Sequence, residues 1–404
     1  MSDPARVPVI LKGGSRTPVG RYLGALSSFS APELGAAAIR GAIDRGGVDP
    51  TAIEETFMGN VLQAGVGQAP ARQAAIGGGV PAGVPACTVN KVCGSGLMAV
   101  MLAARAIRAG DAGLVLAGGM ESMSNAPHYL RGLRSGVKFG DCKLEDGLMG
   151  DGLWCSFDER HMGGHAEYTA SSAGIGRADA DAFALSSHRK AVRASREGAF
   201  DDEIVPMEVA TRGGATVVAR DESPRPNASL EALSSLRPAF ERDAPPEVEE
   251  HVVTAGNAPG LNDGAAAVLV SSLEFAQAHG LEIAATIDSY AAAARAPRDL
   301  FFAPEAAVRR VMERDGRSTD GYGLFEINEA FAVQAVANAR ALGVSPDRLN
   351  VHGGAVALGH PIGASGARIL VTLLHALERR GEETGIAALC LGGGGAVALS
   401  VSRA

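Results

Sequence analysis

Three residues suited to covalent chemistry sit beside glycine-rich turns. They are Cys93 in Val92-Cys93-Gly94-Ser95-Gly96, His360 in Gly359-His360-Pro361, and Cys390 in Cys390-Leu391-Gly392-Gly393-Gly394. A thiolate is a nucleophile that also leaves readily, an imidazole titrates near neutrality, and a second thiol can take or give a proton. A fourth polar cluster, Asn328-Glu329-Ala330-Phe331, follows the apolar pair Leu324-Phe325. Each has an ordinary explanation when taken alone: a cysteine packed as a small hydrophobe, a histidine with a structural partner, a glycine run that only turns the chain. Together they supply a nucleophile, a base, a second thiol and two sets of backbone N–H donors, which few structural accounts would need.

The elements that must position Cys93 can be read locally. Leu97, Val100, Met101, Ala104 and Ile107 fall at helical spacing, no charge appears before Arg105, and Gly110 supplies a stop, so a buried helix is expected to begin near Ser95. Ala86 to Asn90 reads as an extended entry, which places Cys93 at a strand-to-helix turn. The flanking glycines are expected to take the unusual backbone angles there. The helix N-terminus is expected to favour thiolate over thiol and to offer N–H groups to an anion.

Composition narrows the setting. A chain of 404 residues is expected to form two or three domains, and 46% apolar with 20% charged residues fits a globular protein. The net charge of −8 gives no basic face for nucleic acid. Five scattered cysteines argue against a disulfide framework and for a reducing, cytoplasmic setting. No CxxC pair or Cys/His cluster at zinc spacing occurs, so no metal is expected; Cys87, Cys142 and Cys155 are read as packing residues or exposed thiols. The start of the chain does not resemble a leader, and no uninterrupted apolar run is long enough to span a bilayer, so no membrane association is expected. Neither GxxxxGK[ST] nor GxGxxG occurs in a strand-to-helix context.

Strands and helices alternate from Val7 to Gly119 and again after Asn262, which predicts an α/β fold with a mostly parallel sheet covered on both faces. Residues 121–250 break the pattern and read as a loop-rich insertion with one clear helix, Asp179 to Glu197. An internal echo links the two ends of the chain. Phe57-Met58-Gly59-Asn60 answers Phe325-Glu326-Ile327-Asn328, and Gly94-Ser95-Gly96 answers Ala364-Ser365-Gly366. Such self-similarity predicts two halves packed as a pseudo-dimer, with a site between them.

With these motifs in order along nearly its whole length, from Arg16-Thr17-Pro18 to the final Cys-x-Gly-Gly-Gly, the chain resembles the thiolases, acyl-CoA:acetyl-CoA acyltransferases. The resemblance implies a thiolase fold: two βαβαβαββ halves in a five-layered αβαβα arrangement with an inserted loop domain. It divides the chain into an N-terminal half, 1–120, completed by 251–273; a loop domain, 121–250, for coenzyme A binding and oligomerisation; and a C-terminal half, 274–404. It implies a homo-oligomer, a tetramer by the likeness of the segment from Glu121 to roughly Lys143. It assigns the nucleophile to Cys93, its base to His360 and the second acid/base to Cys390. One oxyanion hole falls to His360 with a water fixed by Asn328, the other to the N–H groups of Cys93 and Gly392. Coenzyme A contacts carry over to Leu153, His161, Met162, Arg225, Leu236, Phe240, Ala255, Ala258, Leu261, Ala330 and Phe331. Coenzyme A and acyl-CoA would be substrates, with no prosthetic group or metal. Pro259 departs from the family, where serine is common, and removes both a hydroxyl and an N–H.

His161-Met162-Gly163 resembles the short-chain members, which interconvert two acetyl-CoA with acetoacetyl-CoA plus CoA; a broader 3-oxoacyl-CoA thiolase of fatty-acid degradation is the alternative. A decarboxylating condensing enzyme shares the fold, but Cys390 in its glycine context speaks against it. A silent acyl-CoA-binding relative should lack one of Cys93, His360 or Cys390, and a Cys-His-Asn protease would lack this sequence context.

Overall fold

A computed structural model of the protein describes residues 3–211 and 213–404. A strand apolar on both faces must be covered on both sides, and the central strands are of this kind. In Leu114–Ser122, Leu114 and Leu116 enter one core while Val115 and Ala117 enter another. In Thr384–Leu391, Ile386 and Ala388 enter one core, and Ala387 and Leu389 the other.

Among the described residues the central sheet has eleven strands, and it is mixed rather than mostly parallel as expected: the long inner strands pair antiparallel, and parallel pairing is confined to the two ends around Glu55–Gly59 and Leu324–Ile327. The N-terminal half runs, in spatial order, Ala86–Val89, Glu55–Gly59, Leu114–Ser122, Asn262–Ser272 and Pro8–Leu11. The C-terminal half repeats that order with Leu324–Ile327, Thr384–Leu391, Gly395–Arg403 and Ile283–Ala294, and a parallel bridge from Phe325 to Leu349 occupies the place of Ala86–Val89. The strands carrying Phe57 and Phe325 are thus equivalent, as the echo predicts. The halves are also stitched into one sheet, a seam the sequence did not announce: Pro8–Leu11 pairs antiparallel with Ile283–Ala294, with Val9 opposite Thr286.

Five layers follow from the cores. Helices Ala31–Gly46 and Pro70–Gly77 cover the outer face of the N-terminal half, and Ala303–Asp315 and Ala332–Leu342 that of the C-terminal half. Between the halves lie Ser95–Ala109 and Ser365–Arg380, whose apolar residues share one core with strands of both. These central helices touch through glycine. A Cβ on Gly366 would lie 2.4 Å from Leu97 N, and one on Gly96 would lie 2.7 Å from Ala367 N. The stretch Val92–Ala109 reaches the mean hydropathy of a membrane span although Arg105 and Arg108 interrupt it, and it serves as this central helix.

The expected boundary at 120/121 falls inside a strand, because Leu114–Ser122 continues to the fully buried Glu121. The expected helix of the insertion is Arg177–Arg196, and a second, Met162–Ala173, precedes it. That second helix gives little amphipathic signal because its first turn is buried glycine. A Cβ on Gly163 would strike Phe240 at 2.2 Å and one on Gly164 the Asp243 carbonyl at 1.9 Å, so residues 240–243 lie directly on it.

Candidate active site

Cys93 sits between the strand Ala86–Val89 and the helix Ser95–Ala109, as expected, but glycine does not supply the unusual backbone. The left-handed residue is Val92, at φ 49°, while Gly94 is ordinary at φ −78°. A β-branched residue in that region is strained by about 1–3 kcal/mol, and local bonds hold it. Asn90 Oδ1 accepts from Val92 N at 3.1 Å, and Ser95 Oγ donates to Val92 O at 2.6 Å. Gly94 is glycine for space, since a Cβ would meet Leu391 Cδ2 at 2.7 Å.

The helix N-terminus does not make Cys93 a resting thiolate. Burial pushes the thiol up to about 12, although the N–H groups of Cys93 and Gly392 pull the other way. Desolvation therefore outweighs the two donors, and the nucleophile needs a base. His360 meets that need because burial pushes it down to about 3 and keeps it neutral. Its tautomer is fixed by its neighbours. Ser365 Oγ donates its one proton to the Pro361 carbonyl at 2.8 Å, so at 2.6 Å from His360 Nδ1 it can only accept. The ring proton thus resides on Nδ1, and the Nε2 lone pair accepts only a long contact from Asn328 Nδ2 at 3.4 Å.

Residues given no role in the sequence reading hold this arrangement. Asn262 Oδ1 accepts from His360 N at 2.9 Å. Gly359, at φ +113°, must be glycine because a Cβ would lie 2.4 Å from the Asn262 side chain. Glu121 is buried and accepts from Asn60 Nδ2, Val61 N, Leu62 N and Gly363 N, tying the first-half loop to the turn after His360. Glu329 accepts from Ser187 Oγ, Asn350 Nδ2 and Val356 N, anchoring the loop before His360. Only spatial pairing reveals these roles; spacing along the chain does not show what Ser365 or Asn262 holds.

One cavity of about 960 Å³ gathers most of the predicted residues. Cys93, His360, Cys390 and Gly392 line it, with Leu153, His161, Met162, Phe240, Ala255, Ala258, Leu261, Ala330 and Phe331. Asn328 stands behind His360, outside the lining, and its buried Oδ1 has no hydrogen-bond partner among the described residues. Two expected contacts also lie outside the lining. Leu236 turns into the apolar core around Leu233 and Phe331, and Arg225 is exposed with its N–H donated to His188 Nδ1. Pro259 lines the cavity. One wall is ordered by stacking: His161 lies over Phe240 at 4.8 Å, Phe240 meets Phe331 edge-on at 6.1 Å, and His161 Nδ1 caps the next helix by accepting from Gly163 N.

Cys390 ends a central strand, and burial, then the proximity of Cys93, push its thiol well above the usual range. The glycines after it differ in purpose. Gly394, at φ +90°, would bring a Cβ to 2.5 Å from Arg295 O. A Cβ on Gly392 would meet only Val92 at 3.4 Å, so the protein's own packing does not demand glycine there.

Two thiols and a neutral imidazole, converging from equivalent halves on a largely apolar cavity, define a cysteine-dependent acyltransferase. The chain belongs to the thiolase family: residues 9–274 match the thiolase N-terminal domain and residues 281–403 the thiolase C-terminal domain. It is 49% identical to an acetyl-CoA acetyltransferase of Pseudomonas aeruginosa over 98% of this chain and 99% of that one. It is 50% identical to the acetyl-CoA acetyltransferase of Cupriavidus necator over 98% and 99% of the two chains. A probable acetyl-CoA acyltransferase of Staphylococcus epidermidis is 48% identical over 98% of each.

Proposed function

We propose that this chain interconverts two molecules of acetyl-CoA with acetoacetyl-CoA and CoA through an acyl group carried on Cys93. The observation that carries the reading is the shared cavity of Cys93, His360 and Cys390. The names of the similar proteins and the His161-Met162-Gly163 pattern support the short-chain substrate.

In the cleavage direction His360 Nε2 takes the Cys93 proton and the sulfur attacks the 3-oxo carbon of acetoacetyl-CoA. The N–H groups of Cys93 and Gly392 hold the developing oxyanion, a contribution of about 2.7–4 kcal/mol per donor. The bond between C2 and C3 then breaks, and Cys390 gives its proton to the departing acetyl-CoA enolate, whose oxygen faces protonated His360 and a water held by Asn328. Burial keeps Cys390 a thiol, the form this step requires. CoA finally attacks the acetyl-cysteine, giving its thiol proton to the Cys390 thiolate; the Cys93 sulfur leaves and regains its proton from His360, and the second acetyl-CoA departs. Each step reverses in condensation, where Cys390 as thiolate removes the methyl proton.

The insertion, 121–250, is proposed to hold coenzyme A and to carry the subunit contacts of a tetramer. Its hairpin, with His128–Tyr129 against Glu145–Asp146, bears the exposed apolar residues Leu133, Val137, Phe139 and Leu144, which a partner subunit would cover. A reducing, cytoplasmic setting belongs to the same proposal, supported by five free cysteines.

CoA-dependent cleavage of acetoacetyl-CoA, run beside Cys93→Ala, tests the reaction. Native turnover with near-complete loss in the variant is expected, and faster turnover of longer 3-oxoacyl thioesters would replace the short-chain assignment with the broader thiolase.

A further inference from the structure

Three side chains near the cavity have no part in the proposed chemistry. Cys155 ends the short strand Trp154–Cys155, which pairs with Arg160–His161; Asp158 lies in the turn between them, and His165 in the first turn of the helix Met162–Ala173. One ligand-type atom from each, a thiol sulfur, a carboxylate oxygen and an imidazole nitrogen, lies within 4.8 Å of the other two. Cys155 is buried and lines the cavity.

His165 is the informative member. It is 2% exposed, and its Nε2 has no hydrogen-bond partner among the described residues. Asp158 Oδ2 lies 3.7 Å from that atom, too far for a hydrogen bond. The buried ring thus presents an unpaired Nε2 to a thiol and a carboxylate. A bound cation would satisfy that nitrogen, and leaving it unpaired otherwise costs about 1–3 kcal/mol.

We propose that Cys155 Sγ, Asp158 Oδ2 and His165 Nε2 form a binding site for a divalent cation of the zinc type, with a fourth position open to water. Thiolate, imidazole and carboxylate suit zinc, whereas magnesium and calcium take oxygen donors. Tetrahedral zinc with bonds of about 2.0–2.3 Å holds its ligands roughly 3.3–3.8 Å apart, so the trio closes by about 1 Å on binding. Asp158, exposed on a hairpin turn, is free to make that movement. Cys155 releases its thiol proton to solvent as the Zn–S bond forms. The bound ion would clip the hairpin to the helix start, and the same hairpin bears His161, whose ring stacks on Phe240 in the cavity wall. The spacing Cys-x2-Asp-x6-His matches no zinc motif, which is why the chain read as a sequence announced no metal.

Zinc chloride is the probe. Purified wild-type protein is equilibrated with the ion, passed into metal-free buffer and analysed for retained zinc, and a cobalt-loaded sample is scanned for a thiolate-to-cobalt charge-transfer band. One retained equivalent and that band are expected. Asp158→Asn, an exposed change that leaves the fold intact by circular dichroism, should weaken zinc binding roughly tenfold or more. Cys155→Ser should abolish the cobalt band, and Cys93→Ser should keep both the band and the zinc. Failure of the wild type to retain zinc overturns the proposal, as does zinc that follows Cys93 or is indifferent to Asp158 and Cys155. The readouts are independent of turnover, so they stand or fall apart from the proposed reaction.

Discussion

His360 Nδ1 donates to Ser365 Oγ at 2.6 Å, and the same hydroxyl donates to the Pro361 carbonyl one residue beyond the histidine. This closed circuit decides which nitrogen of the base carries the proton. It also joins the base to the first residue of the helix Ser365–Arg380, the counterpart of the helix that follows Cys93.

Ser365→Ala should therefore lower kcat by roughly tenfold to a hundredfold, because an unpaired buried N–H costs about 1–3 kcal/mol and the two tautomers become closer in energy. KM for acetoacetyl-CoA should change little. Ser365→Thr, which keeps the hydroxyl, should recover part of the loss; steady-state kinetics of the two variants checks this, and equal loss in both would assign Ser365 to packing alone.

The rate should be insensitive to pH where free imidazole and thiol titrate. His360 is pushed down to about 3 and Cys93 up to about 12, so the neutral pair persists between those values. The profile of kcat/KM should show no limb near 6.5 assignable to His360, and a limb there that vanishes in a His360 variant would contradict the burial reading.

Stability has its own pH signature. His188 accepts from Arg225 N and is pushed down to about 4 by burial, then by the Arg225 charge. Between about 6.5 and 4 the unfolded chain therefore binds more protons at this site, so its contribution is lost as pH falls through that window. Glu121, pushed up to about 7 by burial, has the opposite sign. The folded state keeps that proton longer, so its contribution is lost as pH rises from 4.5 towards 7. Thermal midpoints from pH 4 to 8 should accordingly fall less on the acid side in His188→Gln, and less towards neutrality in Glu121→Gln, than in the wild type.

Gly366→Ala should destabilise the protein by about 1–3 kcal/mol or more, since its Cβ would stand 2.4 Å from Leu97 N and no backbone can yield that far without parting the central helices. Gly392→Ala meets only Val92 at 3.4 Å and should unfold at nearly the wild-type temperature. Parallel thermal melts compare the two, and similar large losses would refute the distinction.

The local elements were legible because their signals are local. The run from Leu97 to Ile107 with its glycine stop specifies a buried helix wherever it lies, and two-faced apolar strands specify a covered sheet. Cys93, His360 and Cys390 stood out because a thiol or an imidazole in a glycine turn offers chemistry that packing does not need. The helix Met162–Ala173 was not legible, since its glycines yield to Phe240 and Asp243, residues that arrive from far along the chain.

The sequence by itself determined the residue chemistry, the helical and extended periods, and the repetition of one half in the other, all of which depend on neighbours within a few turns. Tertiary structure decided the protonation of those groups and their companions. Burial reversed the expected charge state of Cys93, Val92 rather than glycine took the left-handed backbone, and Ser365 and Asn262 came to hold His360. Cys155, Asp158 and His165 were likewise brought together only by a hairpin laid against a helix. The reason is the same in each case: dielectric, strain and hydrogen-bond partners depend on what surrounds an atom in space, and distance along the chain does not encode it.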